Sequence, residues 1–340
     1  MKIQIFDHFP DTLKTEWDAL LAHSATSVPF LRYGCLQQWW QTLGGGEWDS
    51  GQLCICAGYK DGKLAGIAPL FRTIKEGVPL LQFIGSKEIC DYLDIIAAPQ
   101  DYQDFLTALL ESLGDQDLSI WEKAVFENIP ENSPFLSLIR KCIPPNMNIL
   151  PEKTYSAPLL TLPATWEEYL AALDKKQRHE IRRKIRRAEQ EAEDQRFYFV
   201  EGDLDITHYA SIFLDLMKED EKKKAFLTPS MQDTMHSLLR WGYSEGILRL
   251  CFLDINGVHA AGYFCFDDGN TIYIYNSGFS NEMQYFSPGW VLLSYLVEWA
   301  IENSRETIDF MRGSESYKYK FGAVDTSLYR GILKRTLAPS

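Results

Sequence analysis

Residues 2–6 alternate apolar and polar side chains, the period of a half-buried strand. Residues 11–23 switch to helical spacing, with Leu13, Trp17, Leu20 and Leu21 on one face. An aromatic helical stretch over 30–43 stops at Gly44, Gly45 and Gly46. Two strands, 53–59 and 63–71, are joined at Asp61-Gly62, a pair suited to a type I′ turn, and Pro69 ends or edges the second. The pattern then predicts strands over 78–84, 93–98, 118–122 and 157–162, helices over 102–113 and 133–142, and a break near residue 163.

Past the break, Thr165 and Glu168 have the spacing of a capping box opening a helix that continues, increasingly charged, to about 194. A strand over 197–201 and helices over 206–216 and 228–242 follow, with the charged stretch 218–224 expected as a connecting loop. Strands 247–254 and 258–266 pair across Asn256-Gly257, and 271–276 is the next strand. Ser287 is suited to cap a helix whose first turn holds Pro288 and whose body, Val291, Leu292, Leu293, Leu296 and Trp299, is apolar enough to be buried. Residues 308–311 form a short core strand.

The hairpin around Asp61-Gly62 and the hairpin around Asn256-Gly257 align, and similar elements flank each. The chain is therefore expected to be two related halves, 1–162 and 163–340, of mixed α+β class, each a largely antiparallel mixed sheet flanked by helices. A length of 340 residues agrees with two domains. A net charge of −13 argues against a general nucleic-acid or anionic-membrane binder. The seven cysteines sit mostly in apolar runs and read as buried small hydrophobes, consistent with a reducing cytoplasm. The N-terminus lacks the pattern of a signal peptide, and no apolar run reaches membrane-spanning length.

Against that acidic background, residues 174–190 carry eight Lys/Arg and three Asp/Glu. Leu173, Gln177, Ile181, Ile185 and Ala188 form a docking stripe, while Arg178, Arg182 and Arg186 form a row beside it. Such a row suits phosphates or carboxylates, and a solvated face accounts for it equally well. The second concentration of charge is Asp309, Arg312, Glu315, Tyr317, Lys318 and Lys320. There Glu315 or Asp309 is a candidate general base, Tyr317 a candidate acid, and Lys318 a candidate for stabilising charge on a carbonyl oxygen. A charged loop after a strand is the plain alternative. The segment 278–289, ahead of the buried helix, suits a pyrophosphate, although an ordinary capped helix explains Ser287-Pro288-Gly289 as well. His179, His208 and His259 are scattered, and no metal-binding spacing is present.

These residues carry a family resemblance. Trp39-Trp40 with 61–70, Asp91-Tyr92-Leu93-Asp94, the basic run 176–187, and Ser287-Pro288-Gly289 with 309–318 and Phe321-Gly322 resemble the Fem-type branch of the GNAT acyltransferases. Within it the chain is most similar to CelD-like proteins associated with cellulose and exopolysaccharide biosynthesis. The resemblance implies tandem GNAT-like domains and N-acyl transfer from acyl-CoA, as a co-substrate and not a tightly bound cofactor, to an amine of a sugar or envelope precursor. For that reaction Glu315 is assigned as base, Lys318 or Tyr317 to the oxyanion, and Ser287, Gly289, Arg178 and Arg182 to the donor or an anionic part of the acceptor. Two alternatives follow from it: an aminoacyl-tRNA donor contacting the basic helix, and a GNAT-fold scaffold or regulator without catalysis. The chain departs from the family pattern in two respects: residues 279–289 lack the glycines of the usual phosphate loop, and the Fem-type Phe-Lys ending appears as Tyr317-Lys318.

Overall fold

The computed structural model describes residues 1–114 and 121–335. In chain order the strands and helices of the first half are β1 (Lys2–Phe6), α1 (Lys14–Leu21), α2 (Tyr33–Gln41), β2 (Gly51–Leu53), β3 (Ile55–Lys60), β4 (Lys63–Ala68), β5 (Leu70–Lys75), β6 (Val78–Phe83), β7 (Ile96–Ala97), α3 (Tyr102–Gly114), β8 (Lys123–Pro130), α4 (Pro134–Cys142) and β9 (Met147–Thr161). The second half holds α5 (Trp166–Ala172), α6 (Lys175–Glu191), β10 (Gln195–Phe199), α7 (Ile206–Lys218), α8 (Glu221–Phe226), α9 (Pro229–Ser244), β11 (Leu248–Ile255), β12 (Val258–Asp267), β13 (Thr271–Phe279), α10 (Pro288–Glu302), β14 (Thr307–Asp309), α11 (Ser316–Lys320) and β15 (Val324–Arg335). The strand expected over 118–122 lies up to residue 120 outside the described residues, and β8 begins at Lys123.

The chain divides into two units, Met1–Tyr155 joined by the segment from Ser327, and Ser156–Thr326. In the first, β1, β3, β4 and β7 form one antiparallel sheet. In a second sheet β2, β5 and β6 are antiparallel, β6 runs parallel to β8, and β8 is antiparallel to β15. In the second unit β10 to β13 are antiparallel in sequence order, β13 runs parallel to β14, and β14 is antiparallel to residues 159–161 of β9. The unit boundaries differ from a simple division at 162/163, because Leu328–Lys334 pair with β8.

Both turn pairs have positive φ at both residues, Asp61 at 51° with Gly62 at 76° and Asn256 at 52° with Gly257 at 75°, as a type I′ turn requires. The register shifts between Gly58 and Tyr59 in one hairpin and between Leu253 and Asp254 in the other, the same distance ahead of each turn. The parallel pairs β6–β8 and β13–β14 follow these hairpins in the same order. The repeat thus extends from the turns to the bulges and the sheet order. One difference is that β13 runs unbroken to Phe279, whereas residues 84–95 interrupt the corresponding strand between β6 and β7. Within that insertion Asp94 is fully buried and accepts hydrogen bonds from Thr26 Oγ1 (2.6 Å), Tyr102 Oη (2.5 Å) and its neighbour Ile95 N (2.8 Å).

In the second unit the sheet is buried on both faces, which is why its strands read as near-continuous apolar runs. Cys251, Leu253, Tyr263, Cys265, Ile272 and Ile274 belong to the core formed with α10. Phe252, Phe264 and Phe266 make ring contacts with Tyr209, Phe213 and Trp241 of α7 and α9. The capping box at Thr165 and Glu168 is present. Residues 218–224 are not a loop: Asp220 accepts from Lys222 N and Lys223 N and starts α8. Among the described residues no helix is long and apolar enough to cross a membrane.

Candidate active site

β13 and β14 stay paired for only three positions, Thr271–Thr307 to Tyr273–Asp309. Beyond them β13 continues to Phe279 with β12 on its other edge, while the chain leaving β14 turns back. Strands that part in this way open a gap in the sheet where backbone groups lack strand partners. Two cavities with lining residues in common lie there. The larger, about 620 Å³, is bounded by β13 from Ile274, the chain from Phe310 to Lys318, and Leu216, Met217 and Lys223. The smaller, about 460 Å³, is bounded by Lys184, Tyr263, Trp290, Leu293 and Phe321 together with the start of α10. Phe279, Asn281 and Tyr317 line both.

The charged chain after β14 is a tightly held turn. Asp309 is buried and accepts from Met311 N at 2.7 Å, which supports Met311 at φ 58°. Gly313, at φ 118°, is where a side chain would be strained and would meet the Glu315 carboxylate. Lys318 is buried, and its Nζ contacts the carbonyls of Met311 (3.2 Å), Arg312 (3.2 Å) and Gly313 (2.9 Å) and Glu315 Oε2 (2.9 Å). Three ammonium protons facing four protein oxygens leave none for a substrate oxygen. As folded, Asp309 and Lys318 therefore shape the turn. Glu315 borders the larger cavity. Partial burial pushes its carboxyl up, but the hydrogen bond and charge of Lys318 outweigh this and hold it below the usual carboxylate range. Tyr317 packs edge-on to Phe310, and burial, with the Glu315 charge adding to it, raises its phenol above the ordinary value.

Two lysines that the sequence pattern did not single out face these cavities. Lys223 on α8 donates to the carbonyl (2.5 Å) and hydroxyl (3.0 Å) of Ser277 on β13. Burial lowers its pKa to about 8, against the opposing charges of Asp220 and Glu315. Lys184 on α6 lies 4.1 Å above the ring of Trp290. Its position three residues after buried Ile181 and four before buried Ala188 was the available signal that it faces inward. Lys223 had no such signal, since a run of lysines ordinarily marks a solvated face.

The remaining expected residues fall as follows. Ser287 and Gly289 line the smaller cavity. Ser287 does not cap α10 with its side chain: it is left-handed at φ 54°, and its carbonyl accepts from Trp290 N and Val291 N. Gly289 lies under the ring of Phe279, which an added Cβ would meet at 2.6 Å. Arg178 and Arg182 line neither cavity; Lys184 is the residue of α6 that does. The seven cysteines are all buried and free, and burial pushes the Cys251 thiol up to about 12. No cluster of three or more metal-ligating side chains occurs among the described residues.

Residues 175–319 match the family described as acetyltransferase (GNAT) domain. The whole chain is similar in fold to FemX, with a TM-score of 0.68 at 12% identity over 97% of each chain. It is also similar to a conserved protein of unknown function from Bacteroides thetaiotaomicron, with a TM-score of 0.64 at 14% identity, covering 98% of this chain and 100% of that one. A tandem GNAT protein from the clavulanic acid biosynthesis pathway superposes with a TM-score of 0.52 at 9% identity, over 100% of this chain and 99% of that one. At these identities the likeness is one of fold. No curated protein matches the chain. The architecture is that of tandem GNAT-like domains, the second carrying the GNAT-type acyltransferase fold.

Proposed function

We propose that this chain is an acyltransferase that moves an acyl group from acyl-CoA to an amine, the amine belonging to a sugar or cell-envelope precursor. One observation carries the reading: Tyr317 borders both cavities where β13 and β14 part, so it would stand beside both a thioester in one and an amine in the other. The apolar wall of the smaller cavity, Trp290, Leu293 and Phe321, suits a pantetheine arm. The larger cavity offers Glu315 and Lys223 to an amine. The GNAT-type fold of residues 175–319 supports the reaction class.

In this reading the amine nitrogen bonds to the acyl carbon and the carbon–sulfur bond breaks. Glu315, ionised at neutral pH, attracts the acceptor while it is an ammonium ion, which releases one proton to solvent to become the attacking amine. Neutral Lys223 keeps two N–H donors on Ser277 and has its lone pair left for the proton that the amine sheds. Tyr317, kept protonated by burial, gives its proton to the departing thiolate, and exchange with solvent resets both groups. Asp309 and Lys318 hold the turn that carries Glu315 and Tyr317, and Ser287 and Gly289 flank the donor arm. Release of free thiol from acetyl-CoA with a panel of amino sugars tests the reading. Tyr317→Phe should lower kcat about 100-fold without changing affinity for acetyl-CoA. Unchanged kcat would remove Tyr317 from the reaction.

A second reading takes an aminoacyl-tRNA as donor. It draws on Arg178, Arg182 and Arg186, whose side chains have no hydrogen-bond or ion-pair partner among the described residues. Steep loss of tRNA binding with added salt supports it, and a flat response excludes it.

A further inference from the structure

The usual way for a helix N-terminus to hold a pyrophosphate is through free backbone N–H groups. The chain ahead of α10 has spent many of these on itself. Gln284 N, Phe286 N and Ser287 N donate to the carbonyls of Asn281, Met283 and Gln284, and Trp290 N and Val291 N both donate to Ser287. The Cα of Gly289 is covered by the Phe279 ring. A backbone cradle is therefore poorly provided for.

Side-chain charge surrounds the same spot. Lys184 Nζ sits 4.1 Å from the Trp290 ring centroid and Lys320 Nζ 5.9 Å from it. These lysines come from different elements, α6 and α11. Neither has a committed carboxylate. Lys184 is 3.6 Å from Glu180 Oε1, but that carboxylate is already held by Arg183 through Nε (2.9 Å) and Nη2 (2.8 Å). The Lys320 side chain has no hydrogen-bond or ion-pair partner among the described residues. Lys184 is also largely withdrawn from water, with 13% of its side chain exposed, and burial lowers its pKa. A partly desolvated cation without a dedicated anion is stabilised by an anionic ligand.

We propose that Lys184, which lines the smaller cavity, and Lys320, exposed beside the Trp290 ring, grip the pyrophosphate of the acyl-CoA donor, so that side-chain charge replaces the glycine-rich backbone cradle. This rests on the acyl-CoA reading above and adds to it how the donor is told from a phosphate-free thioester. It also accounts for the missing glycines: when ammonium groups bind the phosphates, the backbone need not approach them closely.

The test separates phosphate from arm. Binding of acetyl-CoA and of acetyl-pantetheine, which lacks the phosphates, is measured by titration calorimetry on the full chain, the single variants Lys184→Gln and Lys320→Gln, and the double variant. Acetyl-CoA affinity should fall about tenfold or more in the double variant, the scale of lost charge-assisted bonds, while acetyl-pantetheine affinity stays unchanged. Adenosine 3′,5′-bisphosphate should compete with acetyl-CoA on the wild type and less well on the double variant. Unchanged acetyl-CoA affinity overturns the proposal. So does an equal loss for both thioesters, which would mean that the lysines act by packing on Trp290. If the wild-type chain binds neither thioester, the acyl-CoA reading itself fails, an outcome distinct from loss of the lysine effect alone.

Discussion

Lys223 reaches from α8 to β13 and donates to both the carbonyl and the hydroxyl of Ser277, at 2.5 and 3.0 Å. This bond pair ties a helix that reads as a loop in the sequence to the strand that opens the gap. It also leaves a lysine with a pKa of about 8 in a cavity beside Glu315. If the neutral amine takes the acceptor's proton, kcat/KM should rise with pH through about 8 and level off above it. Tyr317 adds no falling limb there, because its phenol is raised. The titrating neighbours are Asp220 and Glu315, both held below the usual carboxylate range and so ionised there. Lys223→Met should remove the limb and lower kcat/KM about 100-fold above pH 8 on the same acceptor. A limb that persists in the variant belongs to the acceptor and not to Lys223.

The second unit is also held by a buried ion cluster away from the cavities. Asp267 is 4% exposed and accepts from Arg305 Nε (3.0 Å) and Nη2 (2.8 Å), with Arg249 Nη2 at 3.0 Å. Arg305 and Arg249 keep 17% and 27% of their side chains exposed and can be partly rehydrated, so Asp267→Ala should cost about 1–3 kcal/mol in denaturant unfolding, the scale of lost charge-assisted bonds. Burial raises the Asp267 carboxyl, and Arg305 with its other partners more than offsets this and holds it below the ordinary value. A depressed carboxyl contributes stability that is present above its unfolded pKa, about 3.9, and lost as pH falls through the folded value. Wild-type stability should therefore drop more steeply below about pH 4 than that of Asp267→Asn. Parallel curves would show that the carboxylate contributes nothing to acid sensitivity.

Gly278 lets α7 approach β13. A Cβ there would lie 2.7 Å from the carbonyl carbon and Cβ of Leu216 and from Met217 N. Backbone cannot give way as a flexible side chain can, so Gly278→Ala should destabilise by about 1–3 kcal/mol. Leu216 and Met217 also line the larger cavity, so KM for the acceptor should change more than affinity for acetyl-CoA. A variant as stable as the wild type would mean that α7 shifts freely.

Much of this fold is legible locally. Asp61-Gly62 and Asn256-Gly257 announce their hairpins because few residue pairs tolerate two positive φ angles. Thr165 and Glu168 announce a helix start through their spacing. What is not legible depends on distant partners. Nothing in 328–334 says that it pairs with β8, and nothing in 159–161 says that it pairs with β14. The site is legible in part for the same reason. Glu315, Tyr317 and Lys318 stand out as a charged cluster after a strand, yet the buried ammonium of Lys318 turns out to bind its own turn. Ser287 fits the composition of a cap, but the left-handed bend before Pro288 points its carbonyl, not its hydroxyl, at the helix. Lys223 looks like part of a solvated run until Asp220 starts a helix that presses it against β13.

The most direct test of the whole account is calorimetric titration of the full chain with acetyl-CoA. Saturable binding at one site per chain, competed by free CoA, is the expected result. Absence of heat and of any thermal shift at millimolar acetyl-CoA, with the protein folded, would contradict it.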